Sequence, residues 1–418
     1  MLSTDVVWIS LGHATTILFG LVGVRLFTEL APREVFGGAS LMTGVMVFVV
    51  SGLIAPVTQC HVRYQAEYTQ EGHGDRYAWT MMLLALATSV VAASLVMLAL
   101  LFVAEMRAGA GLTILPIVLA WALATAIRSI IVGRLNAERR QRDYSQYLAL
   151  EALLVLLLTA AALSLSVTVE AILFGQVAGM SLTFCLLWHV PCKPRKEVRE
   201  KSDFLRRVRG KIISYGVPFS VIFRLEWLVN QSDRYILGMY LDLAAVGVYA
   251  AAFGLASRPS IITATIISDH LRPALFSSQK TSPIVAAKFV RFWLLLQFVC
   301  SLLIVLGFYT LGESLAQLML AEPYRNGAPE LMIWISAAYG IRAIALVLEN
   351  CAYAFEQSRR IALAKGVPVV VGISMALLLV PQSGAAGAAM ANCAAQLVYM
   401  GACAVILRLP SRPAAQIT

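Results

Sequence analysis

Four arginines, Arg25, Arg224, Arg258 and Arg342, stand inside stretches otherwise apolar enough to cross a bilayer, such as PFSVIFRLEWLV around Arg224 and SAAYGIRAIALV around Arg342. A guanidinium at membrane depth is costly, so it faces a protein interior or a water-filled cavity and meets an anion there. Its planar fork donates to two oxygens at once, which suits phosphate. Two readings stay open for each arginine: a buried pair with an acid of the protein, or a cavity that receives an anionic ligand. Glu226, Asp233, Asp269 and Glu349 are the acids available. Arg224 and Glu226 are two residues apart and do not face each other on a helix, so any partner lies on another helix. Glu226 and Asp233 could alternatively couple ion movement to transport, the role a mid-membrane carboxylate often takes.

Twelve apolar runs of membrane-spanning length position these residues, each near the ~20 residues a helix needs to cross. They cover 8–29, 37–58, 79–104, 112–133, 147–167 and 170–190, then 212–239, 245–270, 292–311, 329–353, 361–380 and 384–407. At about 1.5 Å per residue, Arg224 is about 18 Å into the seventh span, and Arg258 and Arg342 are about 20 Å from the opposite ends of the eighth and tenth. Arg25 is about 25 Å into the first. Arg128 and Arg272 fall near span ends, where they are expected to snorkel to the surface.

Composition agrees. The 418 residues are 59% hydrophobic and 13% charged, against about 25% charged in a soluble chain. Mean hydropathy is +0.78. The net charge of +10 does not point to nucleic acid, because no polar domain carries a basic face. Instead the Lys and Arg residues lie in alternate loops: Arg63, Arg76, Arg134, Arg139, Arg140, Arg142, the run from Lys193 to Lys211, Lys280, Lys288, Arg291, Arg359, Arg360, Arg408 and Arg412. The opposite loops carry Arg33, Arg107 and Arg325. This bias places both termini in the cytoplasm. The seven cysteines have no metal-ligand or disulfide spacing, and the first run, without a basic n-region or small-residue cleavage site, is expected to remain as a helix rather than be cleaved.

The most polar stretch, PCKPRKEVREKSDFLRRVRGK at 191–211, reads as a cytoplasmic linker between six-helix halves at 1–190 and 212–418. The segments HVRYQAEYTQEGHGDRYAW and SSQKTSPIVAAKFVRFW hold equivalent places in the halves and are expected to lie along the membrane surface. The halves repeat each other: LAPREVFGGASL aligns with LDLAAVGVYAAAF, placing Gly37 on Gly247 and Pro32 on Asp242. With an even number of spans per half the repeat is parallel, a transporter arrangement. Gly175 and Gly179 form a GxxxG that close helix packing explains. No Walker A, GxGxxG, HExxH or GxSxG pattern is present, and the loops opposite the basic side are too short for a catalytic domain. No catalytic residue, metal site or cofactor is expected.

Four stretches, GLVGVRLFTELAPREVFGGASL, YGVPFSVIFRLEWLVNQSDRYILGMYLDLAAVGVYAAAFGLA, LAEPYRNGAPEL and SGAAGAAMAN, resemble bacterial polysaccharide flippases of the MOP exporter superfamily, the Wzx-like transporters. In the third, Ala321 and Glu322 stand where the family commonly has Gly. The resemblance implies an all-α membrane protein of about 12 helices in two parallel six-helix bundles around a central cavity. It implies outward flipping of an undecaprenyl-pyrophosphate-linked oligosaccharide across the bacterial inner membrane by alternating access, for exopolysaccharide, capsule or O-antigen synthesis. Cavity arginines would meet the pyrophosphate, making Arg25, Arg224, Arg258 and Arg342 the substrate-binding candidates. Its partners would be the lipid-linked glycan, membrane lipids and the polysaccharide polymerase and export machinery. The rival readings are an ion-coupled multidrug or small-molecule exporter of related fold and a membrane glycosyltransferase or polymerase.

Overall fold

A computed structural model describes residues 2–106, 114–187, 201–281, 283–354 and 364–406. Among them there is no strand. A chain this apolar has few options in lipid, where every backbone polar group must be satisfied internally, and helices do so within one segment.

The chain divides into two compact units, Met1–Arg224 and Leu225–Thr418. That boundary falls inside a helix, past the basic linker where composition changes; residues 191–200 of the linker lie outside the described residues. The first unit contains α1 (Leu2–Leu30), α2 (Arg33–Met46), α3 (Gly52–Gln70), α4 (Gly74–Met106), α5 (Ile114–Ala137), α6 (Gln141–Leu165), α7 (Val169–Leu186) and α8 (Lys201–Lys211). Widened π turns, Val47–Ser51 and Ile212–Gly216, join α2 to α3 and α8 to α9 (Val217–Tyr240). The second unit takes most of α9, then α10 (Leu243–Thr281), α11 (Pro283–Met319), the single turn α12 (Glu322–Arg325), α13 (Ala328–Ala354) and α14 (Gly366–Ile406).

Among the described residues, eleven helices or joined helix pairs are long and apolar enough to span a membrane. The last, Gly366–Val405, is two legs, because Gly384 interrupts it at φ 57° and ψ −135°. That is left-handed backbone a side chain would strain, and Pro381 removes a hydrogen bond just before it. Each leg is long enough to cross, which yields the expected twelve.

The repeat is visible in local geometry. α1 and α9 each end at a two-residue turn, 31–32 and 241–242. Pro32 opens α2 with its fixed φ of −60°, and Asp242 opens α10 by accepting the Ala245 N–H at 2.7 Å. Proline wastes no donor at a helix start, and aspartate satisfies one. The segments expected along the surface are built into the long helices. HVRYQAEYTQ continues α3 and α4 begins at Gly74; the later segment likewise divides between α10 and α11. Interlocked side chains extend α3: Tyr68 stacks on Tyr77 at 4.2 Å, and Lys211 sits over Tyr64 and Tyr68.

Lipid tails supply no hydrophobic drive between helices, so close van der Waals packing holds them together. In the first unit Met46, Val50, Ile54, Met81, Ala85, Ala92, Trp121 and Ile130 join α2–α5. In the second, α13 packs on α10, α11 and α14. The GxxxG of α7 meets α6: a Cβ at Gly179 would stand 2.6 Å from Val155 Cα, and one at Gly175 would collide with the Thr159 backbone. Gly175→Ala is therefore expected to cost about 1–3 kcal/mol by overpacking, read as a lower midpoint of thermal unfolding in detergent. Gly307→Ala, whose Cβ meets open space, should be neutral or slightly stabilising in the same measurement.

Candidate functional site

The first-unit site begins with a proline. Pro56 lies inside α3 and has no N–H, so the carbonyl four residues earlier, Gly52 O, loses its helical donor. The π turn Val47–Ser51 precedes this defect, a common signature of functional sites in helices. Ser220 on α9 repairs it, donating its hydroxyl to Gly52 O at 2.7 Å. One turn on, Arg224 donates Nη1 to the Ser220 carbonyl at 3.0 Å and also contacts the Ser220 hydroxyl. Its guanidinium lies against Gly52, within 3.6 Å of where a Cβ there would stand, and 6.0 Å from the Phe48 ring centre. Among the described residues no carboxylate pairs with Arg224. It is held by neutral acceptors and keeps its full charge.

Two other arginines of the first unit's apolar runs, Arg25 and Arg128, are matched by acids. Arg25 pairs with Glu29 one turn along α1, while its Nη1 is buried with no hydrogen-bond partner. Arg128 Nε donates to both oxygens of Glu151 on α6, at 2.6 and 2.9 Å. Glu151 is the lone acid in an apolar run and was the signal available in the sequence. An isolated carboxylate at that depth needs a cation.

In the second unit, α9 presents Glu226, Asn230 and Asp233 at i, i+4 and i+7, one face of a helix. Every member of this stripe has a partner. Lys365, just before α14, contacts Glu226 Oε1 directly and lies 2.8 Å from Glu349 Oε1 on α13. Arg342 Nη2, also on α13, is 3.5 Å from the same Glu226 oxygen, and its guanidinium lies 5.0 Å from the Tyr399 ring centre. Tyr399 donates to Glu349 Oε2 at 2.8 Å. Tyr339 donates to Asn230 Oδ1 at 3.3 Å. Asp233, 4% exposed, accepts from the Tyr249 hydroxyl, from Asn392 Nδ2 at 3.1 Å and from the Arg234 backbone N–H at 2.8 Å.

Arg258 differs. It stands about 22 Å along α10 from Leu243, half-buried, and among the described residues it has no ion pair or hydrogen bond from its side chain. The four sequence candidates thus separate: Arg25 and Arg342 carry a carboxylate partner, and Arg224 and Arg258 do not. Lys365 is the cation the sequence reading missed. It lies inside the apolar run 361–380, where its side chain is 5% exposed. No group of three or more His, Cys, Asp or Glu is placed to hold a metal among the described residues.

The model of the polysaccharide biosynthesis protein family matches residues 2–279 of this chain. The protein belongs to that family. Among solved structures, the lipid II flippase MurJ in an inward closed conformation is 11% identical, with a TM-score of 0.70 over 96% of this chain and 87% of its own. A point mutant of the Vibrio cholerae MATE transporter VcmN is 15% identical, with a TM-score of 0.68 over 97% and 95%. A MOP superfamily transporter from Pyrococcus furiosus, described as having a reversed binding-pocket polarity, is 14% identical, with a TM-score of 0.65 over 96% and 92%. These likenesses establish the fold, that of MOP superfamily flippases and exporters. No curated protein sequence matches.

The proline defect yields a test. Ser220→Ala leaves the Gly52 carbonyl without its donor and is expected to cost about 1–3 kcal/mol, measured by thermal unfolding in detergent. In a Pro56→Ala background, where residue 56 regains an N–H, the same substitution should cost clearly less. Equal costs in both backgrounds would refute the repair.

Proposed function

We propose that this protein flips an undecaprenyl-pyrophosphate-linked oligosaccharide from the cytoplasmic to the outer face of the bacterial inner membrane, for exopolysaccharide, capsule or O-antigen synthesis. The observation that carries the reading is the pair of deep arginines, Arg224 and Arg258, with no carboxylate partner among the described residues. Family membership supports the glycan, and the MOP fold supports movement without a built-in ATP site. A cation-extruding drug exporter would favour uncompensated acids, whereas here both Glu226 and Glu349 are matched by Lys365.

In this reading two six-helix halves, 1–190 and 212–418, alternate the site between the membrane faces, with both termini and the 191–211 linker in the cytoplasm. Arg224 and Arg258 bind the pyrophosphate with their full charge. Arg342 and Arg25 join them, each releasing part of its hold on its own acid. Ligand contacts must differ between the two states for binding to drive the switch. Asp233 serves ion coupling, its carboxylate enclosed by hydroxyl, amide and backbone donors, while Glu226 serves as arginine partner. The protein works beside the polysaccharide polymerase and export machinery and is not itself an enzyme.

Arg224→Ala and Arg258→Ala are each expected to reduce glycan export in cells by at least about tenfold, the effect of losing one charge-assisted contact, at unchanged membrane level. Lys at either position should rescue partly, keeping charge without the fork. Normal export by both well-expressed Ala variants would sink the proposal. Asp233→Asn should retain substrate binding but remove the response of transport to an imposed proton or sodium gradient in reconstituted vesicles. A gradient response equal to wild type would remove Asp233 from coupling.

A further inference from the structure

The charge cluster of the second unit is balanced, with Glu226 and Glu349 against Arg342 and Lys365, but its layout is uneven. Lys365 and Glu349 form a deep base, with side chains 5% and 6% exposed, and Tyr399 fixes the outer oxygen of Glu349. Arg342 and Glu226 face outward, 24% and 36% exposed. Both cations converge on one atom, Glu226 Oε1. Lys365 contacts it directly, while Arg342 stands 3.5 Å away, beyond the ~2.7–2.9 Å of a tight charge-assisted hydrogen bond. Arg342 is oriented by the Tyr399 ring without spending a donor on it. The outcome is a guanidinium that is charged, aimed and only loosely neutralised.

We propose that Glu226 is an internal stand-in for the substrate's anion and that Lys365 is the counter-ion that lets it step aside. A phosphate oxygen takes the fork of Arg342, and Glu226 relaxes wholly onto Lys365. The inference rests on Arg342 being a contact of the transported anion. Taking an arginine from a buried carboxylate would normally leave that carboxylate uncompensated, which is strongly unfavourable. Lys365 removes this penalty because its ammonium has three donors on a compact point charge and can serve two carboxylates together. Lys365 is thus a positioning residue, and Glu226 sets the affinity by competing for Arg342. A resident competitor suits a carrier, which must release its cargo on the far side.

The test uses the purified full-length protein in detergent, with farnesyl diphosphate as the probe and calorimetric titration as the readout. Competition predicts that Glu226→Gln binds the probe at least roughly fivefold more tightly than wild type. Lys365→Met should bind more weakly by a similar factor, because Glu226 then closes on Arg342. The double variant E226Q/K365M should bind about as tightly as Glu226→Gln, since the competitor is gone. In an Arg342→Ala background the gain from Glu226→Gln should vanish. A merely structural role predicts weaker binding in all three, with the double variant the worst. Unchanged or weaker binding by folded Glu226→Gln, or a double variant as weak as Lys365→Met, overturns the exchange while leaving the anion site standing. Absence of saturable binding, or binding indifferent to Arg342→Ala, overturns Arg342 as an anion contact and the exchange with it. Should Lys365→Met not fold, the Glu226→Gln comparison with and without Arg342 decides alone.

Discussion

Inside a membrane, a charge that is not matched is a charge that must be used. The second unit shows the constraint directly, because one buried ammonium, Lys365, holds Glu226 of α9 and Glu349 of α13 together. The polar stripe of α9 follows from the same rule. Glu226, Asn230 and Asp233 each reach a partner on another helix of the unit: Lys365 and Arg342, Tyr339, and the Tyr249–Asn392 pair. Paired charges do not make the fold more stable than apolar packing would, but once present they penalise any arrangement that separates them. They specify which face of α9 turns inward.

The first unit reaches its site by a backbone route. Pro56 strips a donor from Gly52 O, the π turn accommodates the kink, and Ser220 closes the gap. Arg224 then rests on the acceptors this repair gathers. Neutral acceptors orient a guanidinium without cancelling its charge, which a carboxylate would do. Two physical solutions thus coexist in one chain: charge orientation by dipoles at Arg224, and charge storage by ion pairing around Lys365.

How much of this could be read in the sequence depends on range. Span number, the two-residue turns at 31–32 and 241–242 and the small-residue contact of Gly175 and Gly179 follow from local pattern, and the structure has them. The kink that separates the last two spans was legible as Pro381 and Gly384. The extension of α3 and α4 beyond their apolar runs was not, because it depends on side chains meeting across helices, Tyr68 on Tyr77 and the sequence-distant Lys211 on Tyr64. At the site, the depth of each arginine was legible and its electrostatic state was not. The pairing of Arg128 with Glu151 on α6 and the convergence of Glu226 and Glu349 on Lys365 join separate helices. Pairing is a tertiary property, and spacing along one helix carries only the i, i+4 cases, such as Arg25 with Glu29.

The electrostatic division of the arginines bears on what kind of ligand this protein can take. Arg25, Arg128 and Arg342 each stand with an acid, so they add direction to a site but little net charge. Arg224 and Arg258 add charge without an offset among the described residues. A pyrophosphate in a diester carries a charge on each phosphoryl group, and desolvating it demands cations not already engaged. A cationic ligand would be repelled by such arginines, and two of the acids that could attract it, Glu226 and Glu349, are occupied by Lys365.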